Sequence, residues 1–260
     1  MKKSARSVRI VLVRPRNPLN LLAAARAAAN FGFIDLVVVA PHGPVWNEAC
    51  ESEQAERWLA LARRTSTLQK AVGDCDWVLG TSCLARRRIE EKSIISLDQI
   101  RGALRQNARR NRIALVFGSE KRGLSKQDLD CCHSIVRIPT GYRVPSMNLG
   151  QAVAVCCYEL RNIGGESMSG GRSASSKRPA DIKQTIAAAR EIDRLVESVS
   201  SLLAGESRKI EGANDRRQAY LRRMLMRWGP TSQEVSLLLG IFRDLAWKLQ
   251  SGRSDRPASR

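Results

Sequence analysis

The amino-acid sequence predicts an α/β fold, in which a mostly parallel sheet is flanked by helices, followed by a small all-helical domain. Short β-branched apolar runs alternate with helical patterns over residues 1–163, as in proteins that bury a parallel sheet between helices. A stretch rich in glycine and serine then interrupts the chain. Beyond it, apolar residues recur at helical spacing with charged residues between them. Together these observations indicate two domains joined by a linker.

The predicted strands are short runs rich in valine, isoleucine and leucine. Runs of this length and composition are typical of strands that are buried on both faces of a sheet. The five runs are residues 8–13, 35–40, 76–80, 112–117 and 134–138. Five strands are therefore the minimum for this sheet.

Helical patterns separate the strands and follow the last one. The first pattern is rich in alanine and stops at Gly32, a residue type that is common just after helix ends. The predicted helices of this domain are residues 21–31, 51–64, 97–108, 126–132 and 148–162. Because strand and helix alternate, the helices are expected to cover the two faces of the sheet.

The composition changes abruptly after these helices. The segment GGESMSGGRSASSKRP predicts a flexible linker, and the periodicity beyond it predicts helices over residues 182–203, 220–228 and 232–249. The predicted divisions are residues 1–163 for the α/β domain, 164–179 for the linker, 180–250 for the helical domain and 251–260 for a polar tail.

The chain is strongly basic, with 44 lysines and arginines against 25 aspartates and glutamates and a formal net charge of +19. This balance favours a polyanionic partner, although charge of this kind can also serve solubility alone. No apolar run approaches the roughly 18 residues that a membrane span needs, and charges stand where a signal peptide would be apolar. We therefore expect a cytoplasmic protein that does not enter a membrane.

Several arginines crowd into one short part of the predicted helical domain. Helical spacing would place several of them on one face, which predicts a stripe that binds phosphates. A solvated helix face at a dimer contact is the alternative. The arginines are Arg216, Arg217, Arg222, Arg223 and Arg227.

The seven cysteines show no C-x-x-C spacing, and four of them form two adjacent pairs, at residues 131–132 and 156–157. Adjacent cysteines are poorly placed to bind one metal ion together. We therefore expect no metal site, and we expect most of these thiols to act as small apolar side chains in a reducing compartment.

Ligands of open α/β sheets bind beyond the carboxyl ends of the strands, so the loops at these ends are candidate sites. After the first strand, Arg26 is the single charged residue of an alanine-rich helix. Its guanidinium either reaches past apolar neighbours to water or points at a phosphate or a developing oxyanion. After the third strand, Thr81, Ser82 and Cys83 are small enough to let a ligand approach the backbone, although such residues also simply end strands.

Two later loops carry polar residues as well. The loop after the fourth strand holds Glu120 and lacks both the G-K-[ST] ending of a P-loop and the G-x-G-x-x-G of a dinucleotide site. After the fifth strand, Asn148 and Gln151 indicate a helix start, whose free amides and the Ser146 hydroxyl would suit an electron-rich ligand. A surface turn and a helix cap are the structural alternatives. These residues alone predict ligand loops at one sheet edge and name no cofactor.

Three segments, in order, carry a resemblance to a known family. They are NPLNLLAAARAAANFG at residues 17–32, LVFGSEKRGLS at 115–125 and IPTGYRVPSMNLGQAVAV at 138–155. They resemble the three motifs of the SpoU/TrmH-type RNA ribose 2′-O-methyltransferases of the SPOUT class. The helical region, with LRRMLMR at 221–227 and EVSLLLGI at 234–241, is similar to the C-terminal extension of the TrmJ branch. That branch methylates the first nucleotide of the tRNA anticodon loop.

The resemblance implies a trefoil-knotted SPOUT methyltransferase domain, a homodimer with its active site at the interface, and S-adenosyl-L-methionine as the cofactor. Many relatives have glycine where this sequence has Leu22. The implied catalytic group is Asn20, Arg26, Glu120, Ser146 and Asn148. The implied cofactor-binding residues are Thr81, Ser82, Cys83, Gly118, Ile138, Ser146, Met147 and Leu149.

The resemblance also implies a reaction, the methylation of a ribose 2′-hydroxyl in tRNA. An rRNA 2′-O-ribose methyltransferase and a non-catalytic RNA-binding relative are the alternatives. A ribose hydroxyl is a poor nucleophile, so the site has to remove its proton or stabilise its alkoxide while the methyl group is held in line. Because a guanidinium is a poor base, we expect Arg26 to stabilise the alkoxide electrostatically while a phosphate or water takes the proton.

Overall fold

The structure, a computed structural model, describes residues 7–51, 58–59, 61–83, 93–141, 143–161, 185–204 and 213–254. The chain divides into two compact units, Met1–Ile182 and Lys183–Arg260. The predicted linker over residues 164–179 lies outside the described residues.

The described residues of the first unit form a parallel sheet of seven strands. The strands are β1 Ser7–Val13, β2 Leu36–Val39, β3 Arg63–Thr65, β4 Trp77–Thr81, β5 Ser93–Ser96, β6 Arg112–Phe117 and β7 Ser134–Arg137. Their order in the sheet is β3-β2-β1-β6-β4-β7-β5. The five predicted strands are confirmed as β1, β2, β4, β6 and β7, with ends that shift by at most one residue.

The two strands that were not predicted, β3 and β5, form the two edges of the sheet. Each has only three or four residues, and most of their side chains are exposed or half-buried. Edge strands of this kind lack the apolar run that marks a buried strand. The predicted helix over residues 51–64 is wrong at Arg63 and Arg64, which pair with β2, and most of its remaining residues lie outside the described part of the chain.

The described helices of the first unit confirm the alternation of strand and helix. The helices are α1 Pro18–Asn30, α2 Val45–Cys50, α3 Leu68–Val72, α4 Ile100–Gln106, α5 Lys126–Asp130 and α6 Leu149–Leu160, with a 3₁₀ turn at Leu97–Gln99. The predicted helices at residues 21–31, 97–108, 126–132 and 148–162 correspond to α1, α4, α5 and α6, whereas α2 and α3 are short and were not predicted.

Helices α1 and α6 pack closely against each other because their contact is made of small residues. A Cβ atom placed on Gly150 would lie 2.8 Å from the Cβ of Ala23, so no larger side chain fits without displacing a helix. The buried face of α1 consists of leucine and alanine side chains that pack in the same core as β1 and β6. This packing brings the first turn of α1 beside the first turn of α6. The trefoil knot that the family resemblance implies stays a prediction.

An ion-pair network lies at the amino ends of the strands, on the side away from the candidate loops. The nearly buried Arg9 binds Asp35 through Nε at 2.9 Å and forms two hydrogen bonds with Asp74. Arg63 also binds Asp35, at 2.8 Å. The hydrogen bond from Arg9 holds the pKa of Asp74 below its ordinary value. The network ties the segments before β2 and β4 to β1.

The second unit contains three described helices, α7 Ala189–Ala204, α8 Ala213–Trp228 and α9 Ser232–Ser254. All three predicted helices are therefore found, although α7 begins later than residue 182 and α9 runs four residues into the predicted polar tail. Helix α9 begins with a capping box, in which the amide of Glu234 donates to the Thr231 hydroxyl and the amide of Thr231 donates to the Glu234 carboxylate.

The predicted arginine stripe is only partly exposed. Arg222 is buried and binds Asp193 of α7 at 2.7 Å, so its inclusion in an RNA-binding stripe was wrong. Burial raises the pKa of Asp193 above its ordinary value, and the nearby Arg222 opposes that shift. Arg216, Arg217 and Arg227 remain exposed.

Candidate active site

The loops that follow β4, β6 and β7 meet at the carboxyl edge of the sheet, where these three strands are neighbours. Parallel strands bring their carboxyl ends to one edge, and ligands of α/β proteins commonly bind there. Between these loops and the start of α6 lies a cleft of about 350 Å³, which we call the main cleft. Its volume is within the range of about 300–1,000 Å³ that is typical of small-molecule sites.

The loop after β6 folds back tightly on itself. The amide of Gly123 donates to the carbonyl of Ser119 at 2.8 Å, and Gly123 has a φ of +64°, which favours glycine. A Cβ atom on Gly118 would lie 2.0 Å from the carbonyl carbon of Gly123 and 2.2 Å from the amide nitrogen of Leu124. The fold-back therefore requires glycine at both positions, and it shapes one wall of the main cleft.

The end of β4 is fixed to both neighbouring strands. The Thr81 hydroxyl donates to the carbonyl of Val116 in β6 at 3.0 Å, and the amide of Ser82 donates to the carbonyl of Val136 in β7 at 3.2 Å. These bonds hold the small residues of this loop at the floor of the main cleft.

The loop after β7 is closed by its own polar groups. The Thr140 hydroxyl donates to the carbonyl of Pro145 at 3.0 Å, and the amide of Val144 donates to the carbonyl of Gly141 at 3.2 Å. This closed loop places the exposed Ser146 at the main cleft, two residues before the cap of α6.

The structure brings all eight predicted cofactor residues together. Although they come from three separate segments of the chain, each one lines the main cleft. They are Thr81, Ser82, Cys83, Gly118, Ile138, Ser146, Met147 and Leu149. Their role in binding a cofactor stays a prediction, because the structure shows only their common location.

Other residues of the same loops also line the main cleft and were not singled out from the sequence. Most of them lie in the loops that follow β6 and β7, so the positions of the predicted strand ends could have identified them. They are Phe117, Ser119, Lys121, Arg122, Gly123, Leu124, Val136, Thr140, Pro145 and Ala152.

Three of the five predicted catalytic residues form a hydrogen-bonded chain, which we call the polar triad: Glu120, Asn20 and Asn148. The side-chain amide of Asn20 donates to the Glu120 carboxylate at 3.1 Å. The side-chain amide of Asn148 donates to the Oδ1 atom of Asn20 at 2.9 Å. The triad therefore links the loop after β6, the first turn of α1 and the start of α6.

The backbone of the loop after β1 also binds the Glu120 carboxylate. The amides of Arg16 and Asn17 donate to its two oxygens at 3.0 and 3.2 Å. Asn17 in turn caps α1, because its Oδ1 accepts the amide of Leu19 at 2.8 Å. The sequence analysis did not predict that Asn17 caps α1, although the pair Asn17–Pro18 is typical of a helix start. Three N–H donors thus fix the orientation of the carboxylate.

Arg26 lies apart from the polar triad. It is exposed and lies six residues after Asn20 on α1, about 9 Å along the helix axis. It forms no hydrogen bond or ion pair with any residue that the structure describes. The structure therefore joins Glu120, Asn20 and Asn148, places Ser146 at the adjoining cleft, and leaves Arg26 on the outer face of α1.

Leu22, where many relatives have glycine, does not disturb the helix. Its side chain is buried in the core, and α1 is regular from Pro18 to Asn30. Leucine at this position is therefore compatible with the regular helix that carries Asn20.

The thiols separate into two environments. Cys50 and Cys83 are exposed, whereas the other five cysteines are buried. Burial raises the pKa of Cys75 and of Cys157 to about 12, so these thiols stay protonated at neutral pH. Cys83 alone among the described cysteines lines the main cleft.

Metal-binding clusters and membrane-spanning helices are both absent from the described residues. No cluster of three or more histidine, cysteine, aspartate or glutamate side chains is arranged to hold a metal ion there. None of the helices in this part of the chain combines the length and the apolar character that crossing a membrane requires.

Known proteins resemble this chain over both units. It is 28% identical over 240 residues to the tRNA (cytidine/uridine-2′-O-)-methyltransferase TrmJ of Sodalis glossinidius, covering 92% of this chain and 91% of that protein. It is 36% identical over 155 residues to the tRNA (cytidine/uridine/adenosine-2′-O-)-methyltransferase TrmJ of Pseudomonas aeruginosa, covering 59% and 60% of the two chains. The crystal structure of TrmJ from Z. mobilis matches with a TM-score of 0.73 at 26% identity, over 91% of this chain and 98% of that one.

A family model accounts for the whole described sheet and both helices that carry the polar triad. The model of the SpoU rRNA Methylase family matches residues 7–158, which is more than half of the sequence. Its matched region contains the main cleft and the polar triad. The chain therefore belongs to the SpoU rRNA Methylase family.

Proposed function

We propose that the chain is an S-adenosylmethionine-dependent methyltransferase that methylates a ribose 2′-hydroxyl of tRNA, at the first nucleotide of the anticodon loop. The observation that carries this proposal is the position of the polar triad, which adjoins a cleft lined by all eight predicted cofactor residues. Support for the substrate comes from the relatives, whose names describe tRNA 2′-O-methyltransferases.

The main cleft fits S-adenosylmethionine in size and chemistry. The cleft is lined both by residues with hydroxyl groups, such as Thr81 and Ser82, and by apolar residues, such as Ile138, which suits a ligand with a polar ribose and an adenine ring. The glycine fold-back at Gly118 and Gly123 leaves the wall of the cleft without side chains at those positions. When bound, this cofactor would supply a methyl group on a positively charged sulfur.

The residues of the chain would then orient the ribose and stabilise charge. In the reaction the hydroxyl oxygen bonds to the methyl carbon, the carbon–sulfur bond breaks with its electron pair going to sulfur, and the hydroxyl proton leaves to a phosphate or water. Glu120 and Asn148 fix the Asn20 amide from both sides, so its orientation is set before the substrate binds. The exposed Ser146 hydroxyl at the main cleft would contact the reacting nucleotide.

Arg26 would stabilise the developing alkoxide and the neighbouring phosphate. Because it lies on the outer face of α1, this role requires the RNA or a second copy of the chain to approach that face. Of these two, the proposal includes a homodimer whose interface lies on this face. The same face supports it, since Leu19 is 72% exposed on α1 and Tyr158 is 47% exposed on the adjoining α6.

The second unit would bind the RNA backbone. Its support is the surface of α8, which exposes Arg216, Arg217 and Arg227 together with Tyr220 and Trp228. Guanidinium groups bind phosphates, and aromatic rings stack on unpaired bases. A cytoplasmic location follows from a tRNA substrate.

Mapping of ribose methylation in total RNA, from cells with and without the gene, tests the substrate. Loss of one tRNA anticodon-loop methyl group is the expected result. Loss of an rRNA methyl group would instead support the rRNA methylase function for which the family is named. Purified protein that transfers no methyl group from S-adenosylmethionine to either RNA would contradict both.

A further inference from the structure

A second cleft, of about 470 Å³, opens at the carboxyl ends of β1, β2 and β6, beside the main cleft. Arg14, Arg16 and Arg122 line it together with His42, and none of its described lining residues is acidic. We call it the basic cleft. Three guanidinium groups around one cavity create a positive potential that attracts anions.

The basic cleft is continuous with the proposed active site. Ser119, Arg122 and Gly123 line both clefts. The backbone amide of Arg16, whose side chain lines the basic cleft, donates to the Glu120 carboxylate of the polar triad at 3.0 Å. A chain molecule held in the basic cleft would therefore pass directly beside the triad.

Arg14 is held in place by an unusual backbone conformation and an ion pair. Its φ is +51°, in the left-handed region that residues with a Cβ rarely adopt. Its guanidinium binds Asp128, whose nearly buried carboxylate also accepts the amide of Ser125 at 2.7 Å. Strained residues of this kind persist where the surrounding structure fixes them, and they cluster at functional sites.

The loop after β2 is joined to the same wall. The amide of Arg14 donates to the carbonyl of Val39 at 2.8 Å, and the amide of His42 donates to the carbonyl of Pro15 at 3.1 Å. The wall is therefore organised by backbone hydrogen bonds. The side chains of Arg16 and Arg122 form no ion pair with a described residue, so among the three arginines only Arg14 is neutralised by a carboxylate.

This chemistry selects a phosphate-bearing ligand. Guanidinium groups match phosphate oxygens in geometry and charge, whereas the positively charged sulfur of S-adenosylmethionine would be repelled. We propose that the basic cleft binds the phosphodiester backbone of the RNA substrate next to the nucleotide whose ribose is methylated. This inference rests on the proposed function of the main cleft.

The test compares the full-length variants Arg16→Ala, Arg122→Ala and the double variant with wild type, in binding to the tRNA that mapping identifies. The matched control is Arg105→Ala/Arg109→Ala, which removes two exposed arginines of α4 and the segment before β6, near the amino edge of the sheet. Each single variant is expected to lower the slope of log Kd against log salt by about 0.7 to 0.9, and the double variant by about 1.4 to 1.8. The double variant should also raise Kd by roughly tenfold or more.

The location of the contact is tested with tRNA that carries an uncharged methylphosphonate beside the methylated nucleotide. This change is expected to weaken binding to wild type and to weaken binding to the double variant much less, because the partner side chains are already missing. Equal weakening of the two proteins would place the phosphate elsewhere and overturn the inference.

Two further results would overturn it. One is a double variant whose tRNA affinity and salt slope match those of the control. The other is unchanged tRNA binding together with loss of binding to inorganic phosphate at constant ionic strength, which would assign the cleft to a free anion. Failure of the proposed function is distinct from both, because wild type would then transfer no methyl group while the difference in RNA binding remained.

Discussion

The side-chain amide of Asn148 donates to the Oδ1 atom of Asn20 at 2.9 Å, while its own Oδ1 accepts the amide of Gly150 at 2.9 Å and caps α6. One side chain therefore performs a structural task and a site task with different atoms. The carbonyl end stabilises a helix, and the amide end orients the asparagine that binds Glu120. Substitutions that keep one end and remove the other can separate the two tasks.

Asn148→Ser is expected to keep the helix cap and lose the amide donor, because serine caps helices nearly as well as asparagine. The free energy of unfolding should stay close to that of wild type while methyl transfer falls. Asn148→Ala should lose both, with a decrease of about 0.5–2 kcal/mol in the free energy of unfolding. Urea denaturation and methyl transfer measured on the same preparations check this. Full activity in the serine variant would show that the amide of Asn148 does not contribute to the site.

Arg26→Ala is expected to lower the rate of methyl transfer by about 10²–10³, the effect typical of removing one preorganised electrostatic contact. Cofactor affinity should stay unchanged, since Arg26 does not line the main cleft. Single-turnover kinetics and calorimetry give the two quantities. A variant that keeps more than a tenth of the wild-type rate would assign Arg26 to packing or RNA positioning instead. Arg105→Ala, another exposed helix arginine, is the matched control.

Cys50 and Cys83 are expected to react with a thiol reagent in the folded protein, because the other cysteines are buried. Burial keeps the pKa of Cys75 and Cys157 at about 12, so few of their thiols ionise at pH 8. With S-adenosylmethionine at about ten times its Kd, the labelling rate of Cys83 should fall roughly tenfold. Mass spectrometry of the labelled peptides measures both sites. Cys50 is the internal control, and equal protection of the two would argue against cofactor binding in the main cleft.

Arg216→Ala/Arg227→Ala is expected to weaken tRNA binding and to reduce the salt slope by about 1.4 to 1.8, if both arginines contact phosphates. Arg222 is left in place because its burial against Asp193 makes it part of the helix packing. Binding isotherms over a range of salt concentrations give the slope, and the melting temperature shows whether the second unit stays folded. An unchanged slope would indicate that the first unit alone holds the RNA backbone.

Asp74→Asn is expected to make stability less sensitive to acid. The pKa of Asp74 lies below its ordinary value of 3.8, chiefly because of its hydrogen bond from Arg9. Its contribution is therefore present above the unfolded pKa and is lost as the pH falls through the lowered folded pKa. Between pH 5 and pH 2 the free energy of unfolding of wild type should consequently fall more than that of the variant. Parallel pH dependences would show that the carboxylate does not take part in this pairing in solution.

The sequence predicts the interior of the sheet well and its edges poorly. Runs such as that of β6 are apolar on both faces, so their composition alone marks them as strands. The edge strands are short, β3 is polar and β5 has only two apolar residues, and their hydrogen bonds to β2 and β7 depend on partners distant in the chain. Propensity over three or four residues carries too little information to find them.

The candidate site shows a similar division. The motifs predict which side chains gather at the main cleft, because strand order places their loops at one edge. They do not predict that backbone amides of Arg16 and Asn17 bind Glu120, since these donors exist at every residue and only the folded loop orients them. Arg222 illustrates the opposite error, because a charged residue at helical spacing was assigned to the surface although it is buried and paired with the half-buried Asp193 of α7.

The contact between Gly150 and Ala23 limits how this family member can change over evolutionary time. Even a Cβ atom at position 150 would lie 2.8 Å from the Cβ of Ala23, so glycine is the only residue that fits there without movement of a helix. Any side chain at this position would have to be accommodated by sliding or tilting of α6, whose N-terminal cap is Asn148. Substitutions of Gly150 should therefore be eliminated by selection through displacement of Asn148, and hence through loss of the site.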